Sequence, residues 1–285
     1  MKVRTLLNES IERLRAADKQ ERAAYELLKK HLQIANHELY LKMDDEVDPT
    51  ILRAYEQDLN EYLHDKPLQY ILGYETFMGR DFIVNENVLI PRYETEELVE
   101  QVLYHLDDYF STYDEIVLAD VGCGSGAIAI SLALDEPKTK VIATDIAASA
   151  LAVAQQNKEL LQADVTFMAG DMLEPLLKKQ LKVDVLVSNP PYIPAEQPLD
   201  RSVRDFEPHL ALFGGQEGLD FYAVIFKDAA KVLKARALLA FEIGYDQKEA
   251  LTALVEHYFP KTKYQFLKDM SGKNRMLFIY WGFAN

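Results

Sequence analysis

I-V-L-A-D-V-G-C-G-S-G-A-I-A-I-S, residues 116–131, decides how the rest of the chain is read. Ile116 to Asp120 is a short apolar run of the kind a strand buried on both faces requires. From Ala127 the run A-I-A-I-S-L-A-L reads as a helix, so D-V-G-C-G-S-G-A (Asp120 to Ala127) spans a strand that turns directly into a helix. Gly122, Gly124 and Gly126 let the backbone turn sharply there and come close to a ligand. In open α/β sheets the crevice at such strand ends is where ligands bind.

Working outward, the alternation persists. Upstream, Leu98, Val99, Val102, Leu103 and Leu106 mark one face of a helix. Downstream follow a strand K-V-I-A-T-D ending at Asp145, a helix over 147–161, a strand over 165–169 and the strand V-D-V-L-V over 183–187. A helix carrying Leu219, Tyr222, Ala223, Phe226, Ala230 and Leu233 comes next, then the strand A-L-L-A-F-E-I and a helix near 247–258. Two strands, 264–267 and 275–280, close the chain without a helix between them. This pattern predicts an α/β fold: a mostly parallel, Rossmann-like sheet wrapped on both faces, with an antiparallel hairpin at its edge.

The N-terminal part differs. Val3, Leu7, Ile11 and Leu14, then Ala24, Leu28 and Leu32, then Leu52, Tyr55, Leu59, Tyr62 and Leu63 fall at helical spacing and predict a small helical bundle. In E-T-F-M-G-R-D-F-I-V, Gly79 separates two strand-like pieces and predicts a hairpin. The expected organisation is a helical domain over 1–72, a β-hairpin linker over 73–90 and an α/β domain over 91–285.

Composition narrows the function classes. The chain has 285 residues, 49% hydrophobic and 27% charged, and no apolar run long enough for a membrane span. The basic start is broken by Asn8, Glu9, Glu12 and Arg13 before an apolar leader can form, so the expectation is a cytoplasmic protein with no membrane partner. One cysteine, Cys123, excludes an internal disulfide, and six histidines without ligand spacing lead to an expectation of no metal. A net charge of −15 disfavours nucleic acid as the partner.

For the glycine loop three readings compete: a nicotinamide cofactor, S-adenosylmethionine, or a structural turn. The spacing is G-x-G-x-G rather than G-x-G-x-x-G, and Asp120 beside it would repel a pyrophosphate, whereas the ammonium of S-adenosylmethionine suits an acidic neighbour. Asp145, about 20 residues past the glycines, can accept from both ribose hydroxyls. Asp171 in A-G-D-M can accept from an adenine amine, with Met172 packed on the ring. Taken singly each aspartate is an ordinary helix cap; three successive strand ends of this kind point to a nucleoside. The cofactor-binding candidates are Gly122, Cys123, Gly124, Ser125, Gly126, Asp145, Asp171, Met172 and Asn189.

Asn189-Pro190-Pro191-Tyr192 follows the fourth strand. Such a turn can be merely rigid. Beside a methyl donor it can do more. An amide nitrogen has a delocalised lone pair, the resonance that gives the peptide bond its barrier of roughly 18–20 kcal/mol, and is a poor nucleophile. The Asn189 side-chain oxygen and the Pro190 carbonyl can accept from its two N–H bonds, prearranged by the stiff prolines, while Tyr192 offers a ring face to developing positive charge. Asn189, Pro190 and Tyr192 are therefore the catalytic candidates, and Asn189 to Tyr192 the substrate-binding ones.

With P-L-Q-Y-I-L-G (67–73), V-L-I-P-R-Y-E-T-E-E-L-V-E (88–100), D-V-G-C-G-S-G-A-I-A-I (120–130), S-N-P-P-Y-I-P (188–194) and F-E-P-H-L-A-L-F-G-G-Q-E-G-L (206–219), nearly the whole chain resembles the peptide chain release factor glutamine-N5 methyltransferases, the HemK or PrmC family. The resemblance implies a class I S-adenosylmethionine-dependent methyltransferase fold and a helical N-terminal domain that recognises the substrate protein. It also implies a target glutamine in the Gly-Gly-Gln tip of release factors. Two positions depart from the family pattern: Met172 stands where many relatives have tryptophan, and Cys123 where threonine is common. Arg92 fits either the mouth of the site or a local ion pair, Glu207 either a loop anchor or a substrate contact, and Glu242 a structural place at a strand end. Other readings carried forward are a ribosomal-protein glutamine methyltransferase, a DNA amino-methyltransferase and a non-catalytic binding module.

Overall fold

Helices and strands fall into two compact units in the computed structural model, which describes residues 1–283. Ala284 and Asn285, the end of the expected range 91–285, lie outside the described residues. The first unit is Met1–Tyr74 together with Leu199–Phe206; the second is Glu75–Pro198 together with the chain from Glu207 onward.

The first unit is built from α1 (Val3–Ala16), α2 (Arg22–Leu32), α3 (Asn36–Leu41), α4 (Pro49–Leu63) and α5 (Leu68–Leu72). α4 starts where Pro49 fixes the first helical φ and the Asp48 carboxylate accepts from the Thr50 backbone N–H at 2.7 Å. The helical spacings bring Leu6, Leu14, Leu27, Leu28, Tyr55 and Leu59 together, all fully buried. Each such side chain contributes about 1.5–3 kcal/mol relative to exposure.

A hairpin of β1 (Tyr74–Phe77) and β2 (Arg80–Ile83) follows, in the second unit from Glu75 on. Met78 and Gly79 between them are both left-handed, at φ 50° and 70°, which matches a two-residue turn to the twist of its strands. Phe77 and Phe82 are fully buried in the core on one face of the main sheet, so most of the stretch read from sequence as a linker packs as part of the second unit.

Then come α6 (Tyr93–Phe110), β3 (Ile116–Val121), α7 (Ala127–Asp135), β4 (Thr139–Asp145), α8 (Ala148–Leu161), β5 (Val165–Ala169), α9 (Glu174–Lys178) and β6 (Val183–Ser188). Between Pro198 and Glu207 the chain belongs to the first unit, as α10 (Arg201–Phe206); the expected division had kept this stretch in the α/β domain. α11 (Asp220–Ala229), β7 (Leu233–Glu242), α12 (Lys248–Tyr258), β8 (Lys263–Lys268) and β9 (Asn274–Trp281) complete the second unit.

The main sheet has seven strands in the order β5-β4-β3-β6-β7-β9-β8. β5 through β7 pair in parallel, while β9 pairs antiparallel with both β7 and β8. The closing hairpin is thus at the edge with its second strand inside, because β9 buries five consecutive residues, Met276 to Tyr280, and β8 none. Separate apolar clusters cover the two faces of the sheet. The acid inside V-D-V-L-V has a local reason: at the irregularity where β6 meets β7, buried Asp184 accepts from the Val117 N–H (2.8 Å) and from Lys234 Nζ (2.6 Å). Strand order reverses between β3 and β6, which places the ends of these two strands side by side at the switch point of the sheet.

Candidate active site

β3 ends in the glycine loop and β6 in the Asn-Pro-Pro-Tyr turn, so the two stretches singled out by sequence are neighbours through the sheet. A cleft of about 320 Å³ opens there, lined among others by Gly122, Gly124, Asp145, Asp171, Met172, Asn189 and Pro191. The glycine loop turns back on β4: the Gly122 and Cys123 N–H groups both donate to the Thr144 carbonyl, at 2.8 and 2.9 Å. Gly122 and Gly124 have φ of 75° and 53°, and a β-carbon on either would stand in open space. Bare backbone therefore faces the cleft where a ligand can approach.

The other loop residues do not line it. Cys123 and Ser125 are buried, and Gly126 packs against Ile130 and Ala154 as the start of α7. Burial, with the charges of Asp120 and Asp145 adding to it, pushes the Cys123 thiol up, which suits an inert apolar filler. Asp145 closes the loop: its carboxylate accepts from the Gly124 N–H at 2.8 Å and the Ala147 N–H at 2.9 Å. Met172 is held in a left-handed conformation (φ 43°), with its carbonyl taken by the Thr144 hydroxyl at 3.0 Å. Asp120 is fully buried beneath the loop; one oxygen accepts from the Ala129 N–H at 3.2 Å, and the other has no partner. Desolvation raises its pKa to about 7. Open glycine backbone, carboxylates at two strand ends and an unpartnered buried oxygen form a donor and acceptor set that fits a nucleoside bearing an ammonium group, as S-adenosylmethionine does.

The Asn-Pro-Pro-Tyr turn is held from behind by elements distant in sequence. The Ile193 N–H donates to Leu212 O (3.0 Å), Gly214 N–H to Ile193 O (2.9 Å) and Ala195 N–H to Gly215 O (2.9 Å). Gln247 Nε2 donates to both Tyr192 O (3.1 Å) and Gly218 O (3.0 Å), while its Oε1 accepts from the Gly244 N–H (2.8 Å). The packing is so close that a β-carbon at Gly214 would collide with the Pro191 carbonyl, and one at Gly218 with the Tyr192 carbonyl. Pro190 is buried, and Tyr192 is largely enclosed.

Four side chains are connected at the turn. Asn189 Nδ2 donates to Thr95 Oγ1 (3.2 Å), Thr95 Oγ1 donates to Glu242 Oε2 (2.6 Å), and the Tyr192 hydroxyl donates to Glu242 Oε1 (3.1 Å). Thr95 and Glu242 are buried. Burial, opposed by these two hydrogen bonds and the Arg275 charge, raises the Glu242 pKa; burial and the charge of Glu242 push the Tyr192 hydroxyl up. Glu207 is also buried and accepts from the Ile90 N–H (3.2 Å) and from the Arg92 guanidinium, anchoring the chain just where it returns to this unit.

Thr95 was not among the sequence candidates, nor were the cleft residues Val88, Ile146, Leu210 and Phe221. The phrase R-Y-E-T-E around Thr95 was visible, but nothing local says that a threonine near the start of a helix meets Asn189, 94 positions away.

Comparison with known proteins fits this geometry. Residues 101–206 match the methyltransferase small domain family model, and residues 5–73 match the PrmC N-terminal domain. The chain is 41% identical to a release factor glutamine methyltransferase of Bacillus cereus, over 87% of this chain and 88% of that protein. It is 42% identical to one of Moorella thermoacetica, over 98% and 99%. In fold it is similar to a T. thermophilus 16S rRNA N2 G1207 methyltransferase solved with AdoMet and guanosine (TM-score 0.52, 17% identity, 73% of this chain and 49% of that one).

Proposed function

The chain belongs to the release factor glutamine methyltransferase family, and on that premise we propose that it methylates the side-chain amide nitrogen of the glutamine in the Gly-Gly-Gln motif of peptide chain release factors, using S-adenosylmethionine. The observation that carries this reading is the rigid turn lining the cleft, where Asn189 is fixed through its Nδ2 and so keeps its Oδ1 for a substrate.

S-adenosylmethionine supplies an electrophilic methyl group when bound, and Gly122, Gly124, Asp145, Asp171 and Met172 are the residues that would hold it. Asn189 Oδ1 and the Pro190 carbonyl accept from the two N–H bonds of the glutamine amide. They favour a pyramidal nitrogen and stabilise the positive charge that develops on it. The Tyr192 ring, two residues after Pro190, is the group proposed for cation–π support. The amide nitrogen becomes acidic as it gains the methyl group, so its proton passes to water and no strong base is required. Clamping the turn from Gly214, Gly218 and Gln247 keeps both acceptors in place before substrate arrives; such positioning supplies on the order of 7–11 kcal/mol in favourable cases. The helical first unit is the part assigned to holding the release factor, and a cytoplasmic setting goes with that substrate.

The test is to incubate the protein with methyl-labelled S-adenosylmethionine and, separately, a release factor, a ribosomal-protein mixture and DNA. Label on the release factor glutamine supports the reading. Label confined to ribosomal protein or to DNA overturns it.

A further inference from the structure

A fully buried glutamate at the end of β7 is costly unless something needs its charge, because an apolar residue would pack there without desolvating a carboxylate. Its two oxygens are used differently from those of a simple anchor: each accepts from a hydroxyl, Thr95 on one side and Tyr192 on the other. A hydroxyl has one proton to give. Once Thr95 gives its proton to Glu242, Thr95 can only accept on its Asn189 side, so the group that Asn189 turns toward it is the amide NH2.

We infer that Glu242 and Thr95 are positioning residues that set the hydrogen-bond polarity of the catalytic turn, holding Asn189 with Oδ1 toward the cleft and thereby selecting a carboxamide over a carboxylate. This rests on the proposed glutamine chemistry and deepens it. With the polarity set, Asn189 Oδ1 joins the Pro190 carbonyl of the proposed mechanism as the second acceptor. They suit the two N–H bonds of an amide and repel the oxygens of a glutamate side chain. Were the Asn189 amide reversed, it would present donors, and the preference would weaken. Burial disfavours the charge on Glu242 and raises its pKa, and against it stand the Thr95 and Tyr192 hydroxyls, the Arg275 charge and the first turn of α6, where the helix end favours an anion. Glu94 opposes them, and the Tyr222 hydroxyl takes the Glu242 backbone carbonyl (2.7 Å).

Three variants test this, each with cofactor affinity measured by calorimetry on the same preparation. Thr95→Val removes the hydroxyl at nearly constant volume; kcat is expected to fall by roughly 100-fold, the scale of a misplaced reacting group, with little change in cofactor affinity. A release factor carrying glutamate in place of the target glutamine, poor as a competitive inhibitor of the wild type, is expected to inhibit this variant better by about tenfold, the loss of one selective hydrogen bond. Thr95→Ser restores both properties. Glu242→Gln removes the acid limb of the kcat/KM profile, since protonating Glu242 frees Thr95 to reverse.

A Thr95→Val enzyme with wild-type kcat and unchanged glutamine-over-glutamate preference overturns the inference. So does a Thr95→Ser enzyme no better than Thr95→Val. Should Thr95→Val fail to bind cofactor, the Glu242→Gln profile decides, and a retained acid limb overturns the inference. Absence of label on the release factor with the wild-type enzyme sinks the substrate reading instead; the polarity is then read from the variants on whichever protein takes the label.

Discussion

The two halves of the cleft solve opposite problems. At the end of β3 the cleft is shaped by what is missing: Gly122 and Gly124 hold left-handed backbone conformations in open space, so bare main chain lines it. At the end of β6 it is shaped by what is filled in. The turn from Asn189 to Tyr192 is backed by glycines at which a methyl group would collide with its carbonyls, and by Gln247, Thr95 and Glu242. The glycine turn of the first half is a local device that eight consecutive residues encode, closed by Asp145 from the neighbouring strand. The second is assembled from four parts of the chain, and its precision depends on their packing.

The largest expected effect tests the buried acid of the first half. Asp120 has its folded pKa raised from 3.8 to about 7, so the folded state binds a proton that the unfolded state has released between those values. Its stabilising contribution is complete below about pH 4 and is lost as pH rises through about 7, which amounts to roughly 4 kcal/mol for a fully buried group. Denaturant titrations from pH 4 to 8 should show this fall in the ligand-free protein, and Asp120→Asn should flatten it. An equally steep fall in the variant would assign the slope elsewhere.

Asn189→Ala should cost methyl transfer about 10²–10³-fold, the scale for removing one preorganised polar contact in a transition state, while cofactor binding and thermal stability stay near wild type. If this variant remained active, the second half would be only a structural turn. Gly218→Ala should break that half from behind. Its β-carbon would displace the Tyr192 carbonyl, and its φ of 73° disfavours any side chain, so a stability loss of about 3 kcal/mol and a fall in kcat are expected together. Gly122→Ala, at the similar φ of 75° but in open space, should cost only about 1–2 kcal/mol in stability. Its main effect should be weaker cofactor binding, measured by calorimetry. If the two glycine variants behaved alike, the contrast between an empty and a filled half would fail.

Reading the sequence recovered what period and punctuation encode. The parallel core strands were legible as short apolar runs ending in Gly, Asp, Asp and Asn, the helices by apolar spacing, and the first hairpin by Gly79. The rigid turn after β6 was legible because two prolines after a strand are locally improbable. That β9 lies inside β8 was not legible, since pairing order depends on which strand buries both faces and not on chain order. Nor was the passage of Leu199–Phe206 into the first unit, because an amphipathic fragment of eight residues does not say what covers it.

The sequence by itself determined the local character of the two strand ends, a glycine turn beside a stiff proline turn, since backbone freedom at glycine and backbone restraint at proline are properties of single residues. Only the tertiary structure decided what holds the second turn. The hydrogen bonds that link Asn189, Thr95, Glu242 and Tyr192 join residues up to 147 positions apart, and a hydrogen bond exists only where folding has brought donor and acceptor within reach.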